Sequence, residues 1–102
     1  MYFKIVQAHE KEQTTYITGR FSATSDEERE LLELMVETFG SIPVYNNKFA
    51  CNGKTLLFKS VRADLLMNSL NFISKELEVP FKFMLAKNFV GNVELVKKWL
   101  SS

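Results

Sequence analysis

The chain has 102 residues, a formal net charge of +1 and a hydrophobic fraction of 46%. We expect one domain, residues 1–102, with a core large enough to need no disulfide or metal, and the single cysteine excludes an internal disulfide and favours the cytoplasm. No signal peptide or membrane span is expected, because the apolar runs are far shorter than the roughly 20 residues that a spanning helix needs.

The first 21 residues are predicted to form a β-hairpin. Alternating apolar and polar residues predict strands over Met1–His9 and Thr14–Phe21, with a polar turn at Glu10–Gln13 between them. On the second strand, Ile17 and Phe21 are expected to face the core. The two faces of the first strand are expected to carry Phe3, Ile5 and Gln7 on one side and Tyr2, Lys4, Val6 and Ala8 on the other.

The segment that follows carries the signals of an amphipathic helix. Ser25-Asp-Glu-Glu28 is a capping box, in which the Ser25 hydroxyl and the Glu28 carboxylate each accept a backbone N–H of the other residue. The apolar stripe that follows runs to Phe39, and Gly40 is expected to end the helix in a left-handed conformation. Pro43 then predicts an edge entry or a short strand that leads into a bend at Asn46-Asn47.

Residues 48–60 are predicted to form a second hairpin around Asn52-Gly53, since these residue types accept the positive φ angles of a two-residue loop. In that register Cys51 faces Lys54 and Phe49 faces Leu56. One face is then expected to carry Phe49, Cys51, Leu56 and Phe58, and the other Lys48, Ala50, Thr55, Leu57 and Lys59.

The rest of the chain is predicted to be helix, strand and short helix. A helix begins near Arg62–Asp64 and ends near Glu78, before Pro80. A strand follows over Phe81–Lys87. Asn92 is expected to cap a last helix over Val93–Leu100.

The order ββαββαβα favours an α+β fold. We expect a two-layer sandwich, with a mostly antiparallel sheet of four or five strands and the two main helices on one face. A ferredoxin-like βαββαβ arrangement, with the first hairpin as a decoration, is one version of it.

Catalytic chemistry finds little support in the sequence. Cys51 and His9 are the one thiol and the one imidazole; a buried structural cysteine and a solvated histidine explain them better than a nucleophile and its base. Gly53-Lys-Thr55 resembles the end of a phosphate-binding loop but lacks its first glycine. The acidic residues of the first helix lack the spacing of a calcium loop. We therefore expect no enzyme activity, no metal and no cofactor.

Charge segregation is the feature that points to a function. Six acids and one arginine give residues 26–37 a net charge of −5, whereas the strand faces opposite the expected core carry five cations and no acid. Those faces mix cations with aromatic and apolar groups, although lysine, threonine and tyrosine are also ordinary outward strand residues that protect sheet edges. The predicted binding residues are Tyr2, Lys4, Tyr16, Arg20, Lys59 and Lys82.

Two functional hypotheses follow from this face. The first is a non-enzymatic protein-binding domain, such as a phage or bacterial accessory protein that inhibits or modulates its partner; that partner is another protein or a second copy of the chain. The alternative is binding of single-stranded RNA or DNA, with tyrosines stacking on bases. Nucleic acid ranks lower, because the chain has only three arginines and a net charge near zero. A second candidate patch joins Trp99 and Phe89 near the C-terminus.

Overall fold

The computed structural model describes residues 1–45 and 47–100. The fold is α+β, with a five-stranded, mostly antiparallel sheet and two long helices, which is the two-layer architecture that the sequence predicts. Neither helix within these ranges is long and apolar enough to cross a membrane. The strands are β1 (Tyr2–Lys11), β2 (Thr14–Ser22), β3 (Phe49–Asn52), β4 (Thr55–Arg62) and β5 (Lys82–Gly91), and the helices are α1 (Asp26–Gly40) and α2 (Ala63–Leu77).

The sheet has the strand order β3-β4-β2-β1-β5. Without β1, the remaining elements form the ferredoxin-like βαββαβ pattern, in which other strands separate the two strands that each helix connects. The strand β1 lies inside the sheet, antiparallel to β2 and parallel to β5. Describing the first hairpin as a decoration is therefore wrong, because Phe3 and Ile5 of β1 are fully buried in the core.

A β-bulge at Val6 changes which side of β1 faces the core. The pairing of β1 with β2 passes from Ile5↔Gly19 to Gln7↔Thr18, so Val6 has no partner on β2. Beyond the bulge Ala8 is buried and Gln7 is exposed. The prediction that Ala8 shares the face of Tyr2 is wrong for this reason.

The strand β4 bulges at the same level on the other side of β2. Its pairing with β2 passes from Val61↔Ile17 to Phe58↔Gly19, and the backbone N–H of Ser60 donates to Oγ1 of Thr18 over 2.9 Å. Both bulges lie beside Thr18. Of the strands β1, β2 and β4, only β2 keeps the regular alternation of inward and outward side chains there. Ile17 and Phe21 are buried as predicted, and Gly19 between them is buried as well.

Phenylalanine rings fill the centre of the core between the sheet and the helices. The ring of Phe3 contacts Phe21 edge-on at 4.7 Å and stacks on Phe58 at 5.3 Å between centroids. Gly19 lies beneath them, and a Cβ atom there would lie 2.1 Å from the Lys4 carbonyl oxygen and 2.9 Å from Cζ of Phe58. Only glycine leaves room for this close approach.

The helix α1 begins as predicted and ends differently. The hydroxyl of Ser25 accepts the backbone N–H of Glu28 over 3.2 Å. The carboxylate of Glu28 reaches Thr24 instead of Ser25, accepting the Thr24 N–H over 2.8 Å. Gly40 is the last helical residue and has no positive φ angle, and the cap is Ser41 in a right-handed helical conformation, so the left-handed stop predicted at Gly40 is wrong.

The second hairpin has its loop one residue later than predicted. Phe49 pairs with Phe58 and Asn52 with Thr55, so the loop is Gly53-Lys54, in which Gly53 alone has a positive φ angle. Glycine at the first loop position is typical of a type II′ turn. Each partner moves by two residues relative to the prediction, so every side chain keeps its predicted face.

Cys51 lies at the exposed end of this hairpin. Its partner across the pair, Leu56, is buried, whereas the thiol is exposed and lies 3.8 Å from the Gly53 carbonyl oxygen. The prediction of a buried cysteine is therefore wrong, although the predicted side of the strand is right.

The remaining connections are short turns. Residues Pro43–Tyr45 form a 3-10 turn instead of an edge strand. Asn46, the first residue of the predicted bend, lies outside the described residues. The helix α2 matches its prediction, ending before Glu78. The predicted last helix is instead a pair of 3-10 turns, Val93–Leu95 and Lys97–Trp99, although Asn92 caps the first of them as expected.

Candidate binding face

The face of the sheet opposite α1 and α2 is called the outer sheet face here. Strand register brings its side chains into rows that cross all five strands, because residues paired across neighbouring strands point to the same side. The first row is Ala50, Leu57, Arg20, Lys4 and Met84. The second row is Asn52, Thr55, Ser22, Tyr2 and Lys82.

This face is accessible within the described ranges. The side chain of Leu57 is 46% exposed and that of Tyr2 is 40% exposed, while Lys59 and Lys82 are also exposed. The C-terminal turns lie at the β1–β2 turn end of the sheet, where Lys98 and Trp99 line a small cavity with Thr14, Thr15 and Arg62. Around Leu57 and Tyr2, residues 1–45 and 47–100 therefore leave the outer sheet face open, and the predicted site depends on this opening.

A depression of about 440 Å³ lies on this face around the β3–β4 hairpin. Its apolar floor includes Val6 and Leu57, and Val6 lies on this side because it continues the alternation of Tyr2 and Lys4 along β1. Its basic rim is formed by Arg20, Lys48 and Lys59. The backbone joins two of these cations, since the Lys59 N–H donates to the Lys48 carbonyl over 3.0 Å.

Five of the six predicted binding residues lie near this depression or in the two rows beside it. Lys4 and Arg20 are direct cross-strand partners at the middle of the sheet. The ammonium of Lys82 lies 6.0 Å from the ring centre of its neighbour Tyr2, at the outer limit of a cation–π contact. The fifth residue is Lys59, on the rim.

Tyr16, the sixth predicted residue, lies apart from the others. It is four residues from Arg20 along β2, which corresponds to about 13 Å of extended chain. Its ring stacks on His9 at 5.4 Å, and its partner on β4 is Arg62. Simple alternation does not predict this aromatic pair, because it depends on the bulge that places His9 opposite Tyr16.

The charge of Arg62 is already balanced at this end of the sheet. Its guanidinium donates to both carboxylate oxygens of Asp64, over 3.0 and 2.6 Å. These hydrogen bonds raise the pKa of Arg62 and lower the pKa of Asp64. Arg62 is therefore already paired, whereas Arg20, Lys48 and Lys59 around the depression have no ion-pair partner among the described residues.

Of the residues that line the depression, Arg20 and Lys59 are among the predicted binding residues, whereas Lys48, Val6 and Leu57 are not. Lys48 could have been selected from the sequence, because the predicted hairpin already placed it on the same face as Lys59. Val6 and Leu57 could have been selected as well, because alternation already placed both on the outward faces of their strands. The second predicted patch is half-buried, with Phe89 and Trp99 packed against the core.

The described residues do not bring catalytic groups together. Cys51 lies at the tip of β3, whereas His9 lies near the end of β1 against Tyr16. Within residues 1–45 and 47–100, no three His, Cys, Asp or Glu side chains group closely enough to hold a metal ion.

The outer sheet face is thus an open surface with an apolar floor and a basic rim. Comparison of the chain with protein-family models, with curated proteins and with solved structures finds no match in any of the three.

Proposed function

We propose that this chain is a non-enzymatic protein-binding domain that docks its outer sheet face onto an acidic surface of a partner protein. The observation that carries the proposal is the depression whose apolar floor, with Leu57 46% exposed, is bordered by Arg20, Lys48 and Lys59. An apolar side chain of the partner would enter the depression, and carboxylates around it would meet the cations. Bound in this way, the domain would inhibit or modulate its partner by occlusion, as a cytoplasmic accessory protein of a bacterium or phage does.

The two kinds of contact have different roles in this proposal. Burial of Leu57 and Val6 supplies affinity, at about 25 cal/mol for each Å² of apolar surface removed from water. The exposed lysines steer the encounter and fix its orientation, while adding little affinity individually. Removing the apolar floor should therefore accelerate dissociation, and reversing rim charges should mainly slow association and reduce its salt dependence.

The shape of the face favours protein over single-stranded nucleic acid. Nucleic-acid platforms stack bases on exposed aromatic rings, whereas Phe58 in this lining is buried, Phe49 is half-buried, and the large exposed apolar side chain is Leu57. The two tyrosines also lie far apart: Tyr2 pairs with Ser22, which is six residues from Tyr16 and so about 20 Å along the strand. Each tyrosine ring already has a neighbour, Lys82 or His9.

A titration with two probes tests the proposal. The first is a fluorescein-labelled acidic peptide with leucines among glutamates and aspartates, and the second is a labelled single-stranded oligonucleotide of similar length. We expect the peptide to bind and to perturb the backbone NMR signals of Arg20, Leu57 and Lys59. Tighter binding of the oligonucleotide, with a steep loss of affinity in salt, would establish the alternative function.

Matched variants locate the contact. Lys59→Glu/Lys82→Glu should weaken peptide binding by about tenfold or more, and Leu57→Ala by a similar factor. Lys11→Glu/Lys75→Glu makes the same change of charge far from the depression, at the other end of β1 and on α2, and should change the affinity less than about twofold. Equal effects of the two double variants would show that only net charge matters and would refute the assigned site.

A further inference from the structure

A second apolar surface lies on the opposite side of the molecule, in a groove of about 520 Å³ between α1 and α2. Three large side chains along it are half or more exposed: Phe72 at 66%, Leu34 at 52% and Leu77 at 50%. Leu31, Ile42 and Ile73 extend the lining. A continuous apolar surface of this kind on the helices is typical of an interaction site.

Carboxylates border this helix groove. Glu30 and Glu37 lie four residues before and three residues after Leu34, which puts them on the same side of α1. Glu76 lines the groove from α2. None of the three has an ion-pair partner among residues 1–45 and 47–100. The basic residue of α2 is Lys75, so the border keeps a negative excess.

The groove has the length of a short helix. Its lining on α1 runs from Leu31 to Phe39, a rise of about 12 Å along the helix, and Ile42 continues the lining beyond the end of α1. A docked helix presents its i, i+3/i+4 and i+7 side chains over about 10 Å, which fits within that length. Three apolar side chains of one helix could therefore lie between Leu34 and Phe72.

We propose that the helix groove binds an amphipathic helix of a partner protein, with leucine-type side chains on one face and lysines or arginines beside them. Charge complementarity selects this occupant, because basic residues flanking the docked face would meet Glu30, Glu37 and Glu76. A second copy of the chain fits poorly, since a two-fold contact through this groove would bring the same carboxylates together. The inference is independent of the outer sheet face.

A peptide of defined chemistry tests the groove. The probe is an amidated, fluorescein-labelled peptide of about 14 residues, long enough for appreciable helix, with leucines at helical spacing and lysines elsewhere. We expect saturable binding that raises the fluorescence anisotropy, together with helix formation by circular dichroism. A scrambled peptide of the same composition and a peptide with glutamates in place of the lysines should each bind about tenfold more weakly or worse.

Paired variants identify the site. Phe72→Ala should weaken binding about tenfold, while Val90→Ala, at a valine that is also largely exposed but lies on β5, should leave it unchanged. Glu30→Lys/Glu37→Lys should weaken binding, whereas Glu10→Lys/Glu12→Lys makes the same charge change at the β1–β2 turn and should not. Lys59→Glu/Lys82→Glu should also leave it unchanged, which separates a failure here from a failure of the proposed function.

Four results would overturn the inference. They are equal binding of the scrambled or acidic peptide, an affinity that Phe72→Ala does not change, no binding of the basic helical peptide, and a dimer in light scattering that Phe72→Ala dissociates. The last result would identify a second copy of the chain as the occupant.

Discussion

The carboxylate of Glu28 connects three parts of the fold, and its replacement measures how much these contacts contribute to the free energy of unfolding. Oxygen Oε1 accepts the Thr24 N–H and the Thr24 hydroxyl, each over 2.8 Å, and Oε2 accepts the α-amino group of Met1 over 3.1 Å. The carboxylate therefore links the start of β1, the loop after β2 and the first turn of α1. Glu28→Gln preserves the size of the side chain and removes its charge.

The expected loss is about 1.5 kcal/mol, the lower end of the range for hydrogen bonds to charged groups, because the site is partly open to water. For a domain of this size that corresponds to a fall in Tm of roughly 6–12 °C. Urea denaturation followed by circular dichroism measures the change. Glu27→Gln is the matched control: Glu27 lies in the same helical turn, is exposed, and should lose only its interaction with the helix dipole, about 0.5 kcal/mol.

The pH dependence provides a second measurement of the same contact. Burial raises the pKa of Glu28, but the hydrogen bonds from Thr24 and the ion pair with the α-amino group outweigh it, so the pKa is lowered overall. A carboxyl group with a lowered pKa stabilises the fold fully above its unfolded pKa of about 4.3 and loses that contribution as the pH falls through the folded value.

The stability difference between the parent and Glu28→Gln should therefore be full at about pH 7 and should shrink as the pH falls below about 4.3 and through the lowered pKa of folded Glu28. A difference at neutral pH no larger than that of Glu27→Gln would refute the reasoning. A difference that does not change with pH would refute it as well.

Three other substitutions have expected outcomes that denaturation can measure. Gly19→Ala should destabilise the fold by about 3 kcal/mol or more, because its Cβ atom would lie 2.1 Å from the Lys4 carbonyl oxygen. Gly40→Ala should be neutral or stabilising by about 0.5 kcal/mol, since the site is helical and open, whereas a left-handed Gly40 would make the same change destabilising. Cys51→Ala should change stability by less than about 0.5 kcal/mol, and native Cys51 should react readily with a thiol reagent, because it is exposed. Slow reaction of Cys51, or a large loss on its replacement, would show that the thiol is buried.

Local chemistry explains the parts of the fold that the sequence predicts well. Ser25 caps α1 because a hydroxyl followed by acidic residues suits a helix start, and the apolar spacing between Leu66 and Leu70 identifies α2. The predicted hairpin loop lies one residue too early in the chain. The predicted faces are nevertheless correct, because each cross-strand partner differs from the prediction by two residues. Face assignment is therefore more robust than loop placement wherever a register error is a multiple of two.

Long-range contacts explain the rest. The bulge of β1 at Val6 and the bulge of β4 at Ser60 lie on either side of Thr18. The two bulges are far apart in the chain, so no short stretch of sequence contains both. The position of β1 inside the sheet likewise depends on its pairing with β5, about eighty residues later in the chain. Cys51 shows the same limit, since burial depends on what covers a strand as well as on which side a residue points.

The site was predictable to the extent that it depends on alternation alone. Lys4, Arg20 and Lys82 lie in the outer rows because the pairing of β1, β2 and β5 is regular around them. Tyr16 lies apart from them because it is far along β2 from Arg20. A list of outward-facing residues gives the side of the sheet for each residue but not its distance along the strand. The depression itself needs Val6 and Leu57 side by side, which only the folded sheet provides.

The net charge of +1 conceals a division between two surfaces on opposite sides of the sheet. The cations around Lys59 lie on one side and the carboxylates around Glu30 on the other, with the phenylalanine core between them. Two partners of opposite charge could therefore bind at once without contacting each other. Between copies of the chain, the favourable electrostatic contact is sheet face against α1, which joins unlike surfaces and so builds open chains, not closed dimers. A monomer at low salt would therefore favour other proteins as the partners of both surfaces.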